Sequence, residues 1–204
     1  MRENKLRAQI GYKRRYMKGG KLAKVAANRL DRNVNPDKPN QAWVSDITYV
    51  RTYEGFLYVA TVLDLFSRRI VGWAMDKAMD RHLVIRALLM AVWSRQPKDP
   101  VLVHSDQGSQ YGSADYLAFM RQNNLEPSIS RRGNCHDNAV AESFFATFKK
   151  RVIKRTIYST REEATSEIFN VIEMFYNPVK RHSHTGGVSP VKYEEAYLAR
   201  LEGV

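Results

Sequence analysis

Cysteine is almost absent from this 204-residue chain: Cys135 stands alone, which excludes an intrachain disulfide framework and a cysteine-rich zinc site. Long apolar runs are missing too. The best stretch, residues 83–93, is short and interrupted by Arg86, so nothing reads as a bilayer span. The N-terminus has basic residues without the apolar centre of a signal peptide, and these absences together fit a reducing cytoplasm. No internal repeat or low-complexity tract divides the chain. What is present is a globular composition, 44% hydrophobic and 11% aromatic, enough for one domain with an appendage. Charge is the outstanding asymmetry. The net charge is +12, yet residues 1–32 hold eleven Lys/Arg against only Glu3 and Asp31, while the other 172 residues hold 22 basic and 19 acidic side chains. Such a basic arm reads either as a nucleic-acid contact through phosphate neutralisation or as a solvated tail, and composition leaves both open.

Residues 34–41, with Pro36 and Pro39, read as an extended linker. From Ala42 the pattern turns to β: a first strand over 42–50, a hairpin turn at Glu54-Gly55, a buried strand over 56–65, a turn at Ser67-Arg68 and a third strand over 69–75. Asp80 is a candidate N-cap for a helix to about residue 93, and 101–104 is a short buried strand. Ser113 could cap a helix over 114–123. A fifth strand over 127–130, a loop over 131–137, and helices over 138–154 and 160–175 follow. Three meandering strands followed by helix–strand–helix–strand–helix predict a mixed α/β sheet, not a doubly wound one. In the 138–154 helix, Val140, Phe144, Phe148 and Val152 recur every four residues and form an apolar stripe. At roughly 100° per residue, Asn138, Glu142 and Lys149 then lie along one other edge.

Three acids stand out by position. Asp46 lies in the first strand, Asp106 ends the 101–104 strand, and Glu142 sits in the helix, with 35 residues between Asp106 and Glu142. Phosphodiester chemistry must activate a nucleophilic oxygen and neutralise a leaving one. A pair of divalent ions about 3.5–4 Å apart can do both. Three carboxylates suit the oxygen preference of magnesium, and no Cys or His cluster competes for zinc. Taken singly, each acid also reads as a cap or a solvated charge. Pattern alone does not prefer Asp46 to Asp64, which likewise ends a strand in Val62-Leu-Asp-Leu-Phe-Ser. Several tempting residues have plainer readings. His104 reads as a structural or supporting histidine, His182 and His184 as packing or phosphate contacts, and Cys135-His136 as a loop pair with no oxyanion device. Lys149, Lys150, Arg151, Lys154 and Arg155 form either a solvated face or a DNA-backbone track, which Arg131 and Arg132 would extend.

The segments Trp43-Val-Ser-Asp46-Ile-Thr-Tyr, Val62-Leu-Asp-Leu-Phe-Ser-Arg68, His104-Ser-Asp106-Gln-Gly-Ser-Gln-Tyr111 and Asp137-Asn-Ala-Val-Ala-Glu142-Ser-Phe-Phe resemble bacterial insertion-sequence transposases with a retroviral-integrase-type catalytic domain. More narrowly, they resemble the second-reading-frame product of the insertion-sequence-three family. The tail Tyr176-Asn-Pro-Val-Lys-Arg-His-Ser-His-Thr-Gly-Gly-Val-Ser189-Pro190 shares the resemblance, although Lys180 and Thr185 stand where Arg and Leu are frequent. The resemblance implies an RNase H-like fold, a mixed five-stranded sheet flanked by helices, with a basic N-terminal arm and a helical C-terminal tail. It implies Asp46, Asp106 and Glu142 as the catalytic triad holding two Mg2+ or Mn2+ ions, with Asn138 and His104 in support and Lys149 on transposon-end DNA. The expected activity is cleavage at transposon ends and strand transfer into target DNA. The expected partners are DNA, further copies of the chain, and a first-reading-frame helix-turn-helix partner or fusion, in the cytoplasm and on the nucleoid. The expected division is a basic arm and linker over 1–39, a catalytic core over 40–158, and a helical extension over 159–204. Met1-Arg-Glu-Asn-Lys-Leu-Arg-Ala resembles the end of a helical segment preceding the core. A truncated, non-catalytic DNA-binding or inhibitory remnant is therefore the second reading, and a nuclease acting on RNA–DNA hybrids the third.

Overall fold

The computed structural model describes residues 27–30, 34–130, 139–150 and 157–203, with only the helical backbone for 139–142. β-Branched and aromatic residues crowd 42–64, and they form an antiparallel hairpin of β1 (Ala42–Thr52) and β2 (Gly55–Asp64). β3 (Ile70–Asp76) pairs antiparallel with β2, with a register shift between Val62 and Leu63. β4 (Val101–Ser105) and β5 (Leu125–Ile129) join parallel on the other side, giving the order β3-β2-β1-β4-β5. This is the mixed five-stranded sheet expected from the pattern. β5 begins earlier than expected, at Leu125, and takes Pro127 into its interior. An edge strand tolerates that because one side of it needs no ladder donor.

Local chemistry sets the helix starts. Asp80 accepts from the N–H groups of His82 and Leu83 to open α1 (Arg81–Arg95). Ser113 opens α2 (Ala114–Gln122) and Thr160 opens α4 (Arg161–Phe169) in the same way. α3 spans Ala139–Phe148. α5 (Pro190–Leu201) combines a Ser189 cap with proline in its first turn, where a missing N–H costs nothing. After Phe169 the expected long helix widens into a π-helical segment, Asn170–Tyr176. Winding with i→i+5 closure brings Val171 and Tyr176, five apart, to the same buried side. Asn177 then donates to the carbonyl of Ile70 and accepts from its N–H, extending the sheet with a side chain.

Side chains alternate across the sheet and build two cores. On one face Ala42, Val44, Leu57, Val59 and Leu63 pack with Phe144, Phe145 and Phe148 of α3 and with Ala164, Ile168, Ile172 and Tyr176. On the other, Trp43, Val62, Ala74, Val101 and Val103 pack with α1 and α2. α1 lies so close to β3 that a Cβ on Gly72 would sit 2.2 Å from the Ala87 carbonyl oxygen and 2.7 Å from the Ala91 nitrogen. Both are backbone atoms and cannot swing aside. Gly72→Ala is therefore expected to destabilise the fold by about 1–3 kcal/mol or more; an unchanged melting temperature would show that α1 is not seated this tightly.

The C-terminal helix is fastened by buried charge. Asp64 is fully buried, accepting from the Asn40 N–H at 2.8 Å, the Phe66 N–H at 2.9 Å and Arg95 at 3.2 Å. Arg95 also donates twice to Glu194 of α5, at 2.8 and 2.6 Å, and Arg69 and Ser67 donate to the same carboxylate. At the other end of the chain, Leu30 is buried, and Ser128 on β5 accepts from the N–H groups of Arg29 and Leu30. The stretch just before the linker is thus pinned to the sheet edge. Among the described residues no helix is long and apolar enough to cross a membrane.

Candidate active site

The parallel register of β1 and β4 pairs Ser45 with Ser105. The residues that follow are Asp46, still within β1, and Asp106, the first residue past the end of β4, so both leave from adjacent positions on strands that run about 4.8 Å apart. Asp46, two residues beyond Val44, takes the sheet face that α3 covers. Each carboxylate is oriented by a backbone N–H: Oδ1 of Asp46 accepts from Ile47 at 2.7 Å, and Oδ1 of Asp106 from Gly108 at 3.0 Å. A Cβ on Gly108 would press on that same Asp106 oxygen at 3.0 Å. Asp46 is half-buried and Asp106 exposed.

Tyr111 provides a second measure of this convergence. Its ring is buried from the opposite face, with the hydroxyl 3.3 Å from Ser45 Oγ. Burial pushes the phenol well above its usual range, Tyr116 adds to this, the Ser45 hydrogen bond opposes it, and the negative charges of Asp46 and Asp106 both push it further up. One buried ring thus feels both carboxylates and stays neutral.

Glu142 lies in α3, two residues before Phe144, which is buried in the same core as Val44. Its side chain lies outside the described residues, as do Asn138, Arg131, Arg132, Arg151, Lys154, Arg155, Cys135 and His136. Lys149 and Lys150 are exposed just past α3, where α winding gives way to a wider turn. The 100°-per-residue wheel used to align Lys149 with Glu142 therefore does not carry over unchanged. Among the described residues no three His, Cys, Asp or Glu side chains gather to hold an ion.

Burial separates the two strand-end aspartates that the pattern left equal. Asp64 is fully buried and consumed by Arg95 and two backbone donors, whereas Asp46 is half-buried just past the β1–β4 pairing, on the face that α3 covers. His104 is wholly buried, with Nδ1 2.9 Å from the Ser128 hydroxyl, so it ties β4 to β5 and to the arm. His184 has Nε2 3.0 Å from the Phe66 carbonyl and Nδ1 3.2 Å from Arg68. The His182 ring meets Tyr176 edge-on at 5.0 Å.

Burial, with Lys180, Arg68 and His184 nearby, lowers the His182 pKa to about 4. The unfolded chain protonates this histidine first, near 6.5. Its contribution is therefore whole above that value and is lost as pH falls toward about 4. His182→Gln is expected to flatten the decline in urea midpoint between pH 7 and pH 5; an identical slope in both proteins would assign that decline elsewhere.

Two family models, each described as Integrase core domain, match residues 36–135 and 142–198. The chain belongs to the integrase core family. Within it, the transposase InsF of insertion sequence IS3A from Escherichia coli (strain K12) is 45% identical over 175 residues, covering 86% of this chain and 61% of that protein. A 31 kDa protein of insertion element IS600 from Shigella sonnei is 44% identical over 173 residues, covering 85% of this chain and 64% of its own length. Both relatives are insertion-sequence proteins, and the first is named as a transposase of IS3. The chain spans about three fifths of the length of the curated relatives it matches. The HTLV-2 integrase catalytic core domain, solved in complex with magnesium as a dimer, superposes with a TM-score of 0.55 at 15% identity, covering 76% of this chain and 97% of that one. A chain of the simian T-cell lymphotropic virus intasome solved in complex with PP2A regulatory subunit B56 gamma gives 0.65 at 14% identity, over 87% of this chain and 61% of that one. The fold is RNase H-like.

Residue-by-residue reading of the integrase core had passed over Tyr111, Arg68 and Glu194. In the sequence Tyr111 only ends a motif, Arg68 ends another and marks a turn, and Glu194 is one acid in the helical C-terminal tail.

Proposed function

We propose that the chain carries the catalytic core of a DNA transposase that cleaves phosphodiester bonds at transposon ends and joins the freed 3′-hydroxyl to target DNA. The observation that carries this reading is the parallel Ser45–Ser105 pair, which Asp46 and Asp106 directly follow, on a sheet face covered by the helix that bears Glu142. The relatives named as transposases support it, and a related fold has been solved with magnesium.

The donor set fits Mg2+ or Mn2+, because carboxylate oxygens are hard ligands and two of them are presented together. Asp46, Asp106 and Glu142 would hold a pair of such ions. When bound, the ions supply Lewis-acid stabilisation of charge on the attacking and leaving oxygens. The protein's own part is to fix the carboxylates. The Ile47 and Gly108 N–H groups orient them, and the neutral, buried Tyr111 packs behind them without adding charge. Asn138 and His104 would brace this arrangement, His104 through the Ser128 bond that sets β4 against β5. Lys149 and Lys150, with Arg131, Arg132, Arg151 and Lys154, would track the DNA backbone and contribute affinity without sequence readout.

Residues 40–158 and 159–204 would then act as one catalytic unit, with 1–39 as a basic arm. The assembly would be a multimer on DNA, joined by a helix-turn-helix partner or fusion for end recognition, in the cytoplasm on the nucleoid. The test is cleavage of labelled DNA carrying the element's ends, with mapped products. Nicking at the ends in the presence of Mg2+ or Mn2+ and its loss with a chelator are expected. Cleavage that persists in chelator overturns the proposal, and DNA binding without cleavage turns it toward an inhibitory DNA-binding role.

A further inference from the structure

Arg68 is an unusual arginine. It occupies the β2–β3 turn in the left-handed region, φ 65°, which a side-chain-bearing residue seldom adopts, and it is 7% exposed. Its guanidinium donates to the Val34 carbonyl at 3.0 Å and to Asn35 Oδ1 at 2.9 Å, and it lies 3.2 Å from His184 Nδ1. All of these partners are neutral. Among the described residues no carboxylate comes within ion-pair distance of it, and the nearby Asp64 is engaged by Arg95. A buried cation without a counter-charge is costly. Burial accordingly lowers its pKa to about 10.

Arg68 lines a cavity of about 210 Å³ together with Ser143, Phe144, Tyr176, His182, Ser183 and His184. The volume is several times the roughly 30 Å³ share of one water. The wall offers hydroxyl and imidazole groups, and none of the residues forming it is acidic. The cavity also adjoins α3 at Ser143, the residue following Glu142.

We propose that this cavity is a phosphate-binding subsite, in which Arg68, assisted by Ser143, Ser183 and His184, takes one backbone phosphate of a DNA strand entering the active site. The proposal rests on the transposase-core reading for the identity of the strand, but the pocket's chemistry stands apart from catalysis. A phosphate supplies the counter-charge that none of the described residues provides, and planar guanidinium–phosphate pairing is among the stronger charge-assisted contacts. Positioned beside α3, it would set the distance of the neighbouring phosphodiester from Asp46 and Asp106. Arg68 would then be a positioning residue for substrate, not a group that touches the reacting atoms.

The experiment uses the full chain carrying Asp106→Asn, so that binding is read without turnover. Short duplex DNA is titrated by fluorescence anisotropy over a range of salt, and inorganic phosphate is titrated separately while the ring resonances of His182 and His184 are followed. Arg68→Gln is expected to weaken DNA binding about tenfold or more and to lower the slope of log affinity against log salt by roughly one. Because Arg68→Gln also removes the contacts to Val34 and Asn35, Ser183→Glu serves as the second variant. It sets a carboxylate at an exposed position on the rim and is expected to weaken DNA binding similarly while raising the melting temperature. A merely structural arginine would not give that opposition. Phosphate is expected to shift both histidine ring signals in the parent and neither in Ser183→Glu.

DNA affinity and salt slope unchanged in both variants, or ring signals that phosphate leaves still in the parent, overturn the subsite. So does Arg68 held by a carboxylate of the chain itself, which would leave Ser183→Glu with no gain in melting temperature. The two readings fail separately. If the chain with Asp106 intact never cleaves DNA, the catalytic reading falls while the binding differences persist. If it cleaves while both variants bind as the parent does, only the subsite falls.

Discussion

Asp106→Asn is expected to abolish strand cleavage and strand transfer while leaving the protein folded and able to bind DNA. Asparagine keeps an oxygen to accept the Gly108 N–H that now orients Oδ1, and position 106 is exposed, so little packing is disturbed. What disappears is a negative oxygen just past the parallel pair that Asp46 also follows. The loss in turnover should be at least roughly 10²–10³-fold, the size seen when one electrostatic stabiliser is removed at reacting oxygens. Asp46→Asn should behave alike, because Asn can still accept from the Ile47 N–H. Single-turnover cleavage with matched DNA affinities measures the effect. Near-normal cleavage by either variant would remove these two residues from the chemistry.

Arg95→Met is expected to cost about 3–5 kcal/mol, the usual penalty for leaving buried charges unpaired. Out of a typical total of about 5–15 kcal/mol, this brings the fold near its limit. The reason is that Arg95 serves two buried carboxylates, Asp64 at the end of β2 and Glu194 on α5. Burial pushes the Asp64 carboxyl up, and Arg95 with the Asn40 and Phe66 N–H groups only partly offsets it. Burial also pushes Glu194 up, but hydrogen bonding and charge from Arg95, with Ser67 and Arg69, outweigh it and leave the net shift downward.

The signs therefore differ. Glu194 contributes stability above its unfolded value near 4.5, and this is lost as pH falls through its lower folded value. Ionised Asp64 opposes folding at neutral pH and stops doing so on protonation. Removing Arg95 takes the downward influence from both. The variant should then regain more stability than the parent between pH 7 and pH 5 as the stranded carboxylates protonate. Urea unfolding at both pH values reads this, and a variant deficit that does not shrink at pH 5 would mean that Arg95 acts through packing alone.

Much of the scaffold could be read in advance, and the reasons are local. Strand runs, turn residues and caps such as Asp80, Ser113 and Thr160 act within a few residues of themselves, so they declare their positions in the chain. The misreadings are equally physical. Pro127 suggested the start of a strand, whereas an edge position let the strand run through it. Beyond Phe169, hydrophobic periodicity could not separate α from π winding, because the sheet it packs against decides which residues must face inward. The candidate site was legible through its motifs more than through pattern. Asp46 and Asp64 looked alike as strand-end acids, and only the resemblance distinguished them.

The amino-acid order by itself determined the strand and helix order, the mixed sheet, and the family to which Asp46, Asp106 and Glu142 point. Tertiary structure alone decided what each charge is for. Asp64 pairs with Arg95, which also holds Glu194 across the fold, while Asp46 and Asp106 each follow the last pair of a parallel ladder. Arg68 is buried among neutral partners beside α3. Periodicity reports which side of an element is apolar. The energy of a charge depends on burial and on partners far away in sequence, and those exist only once the chain has closed on itself.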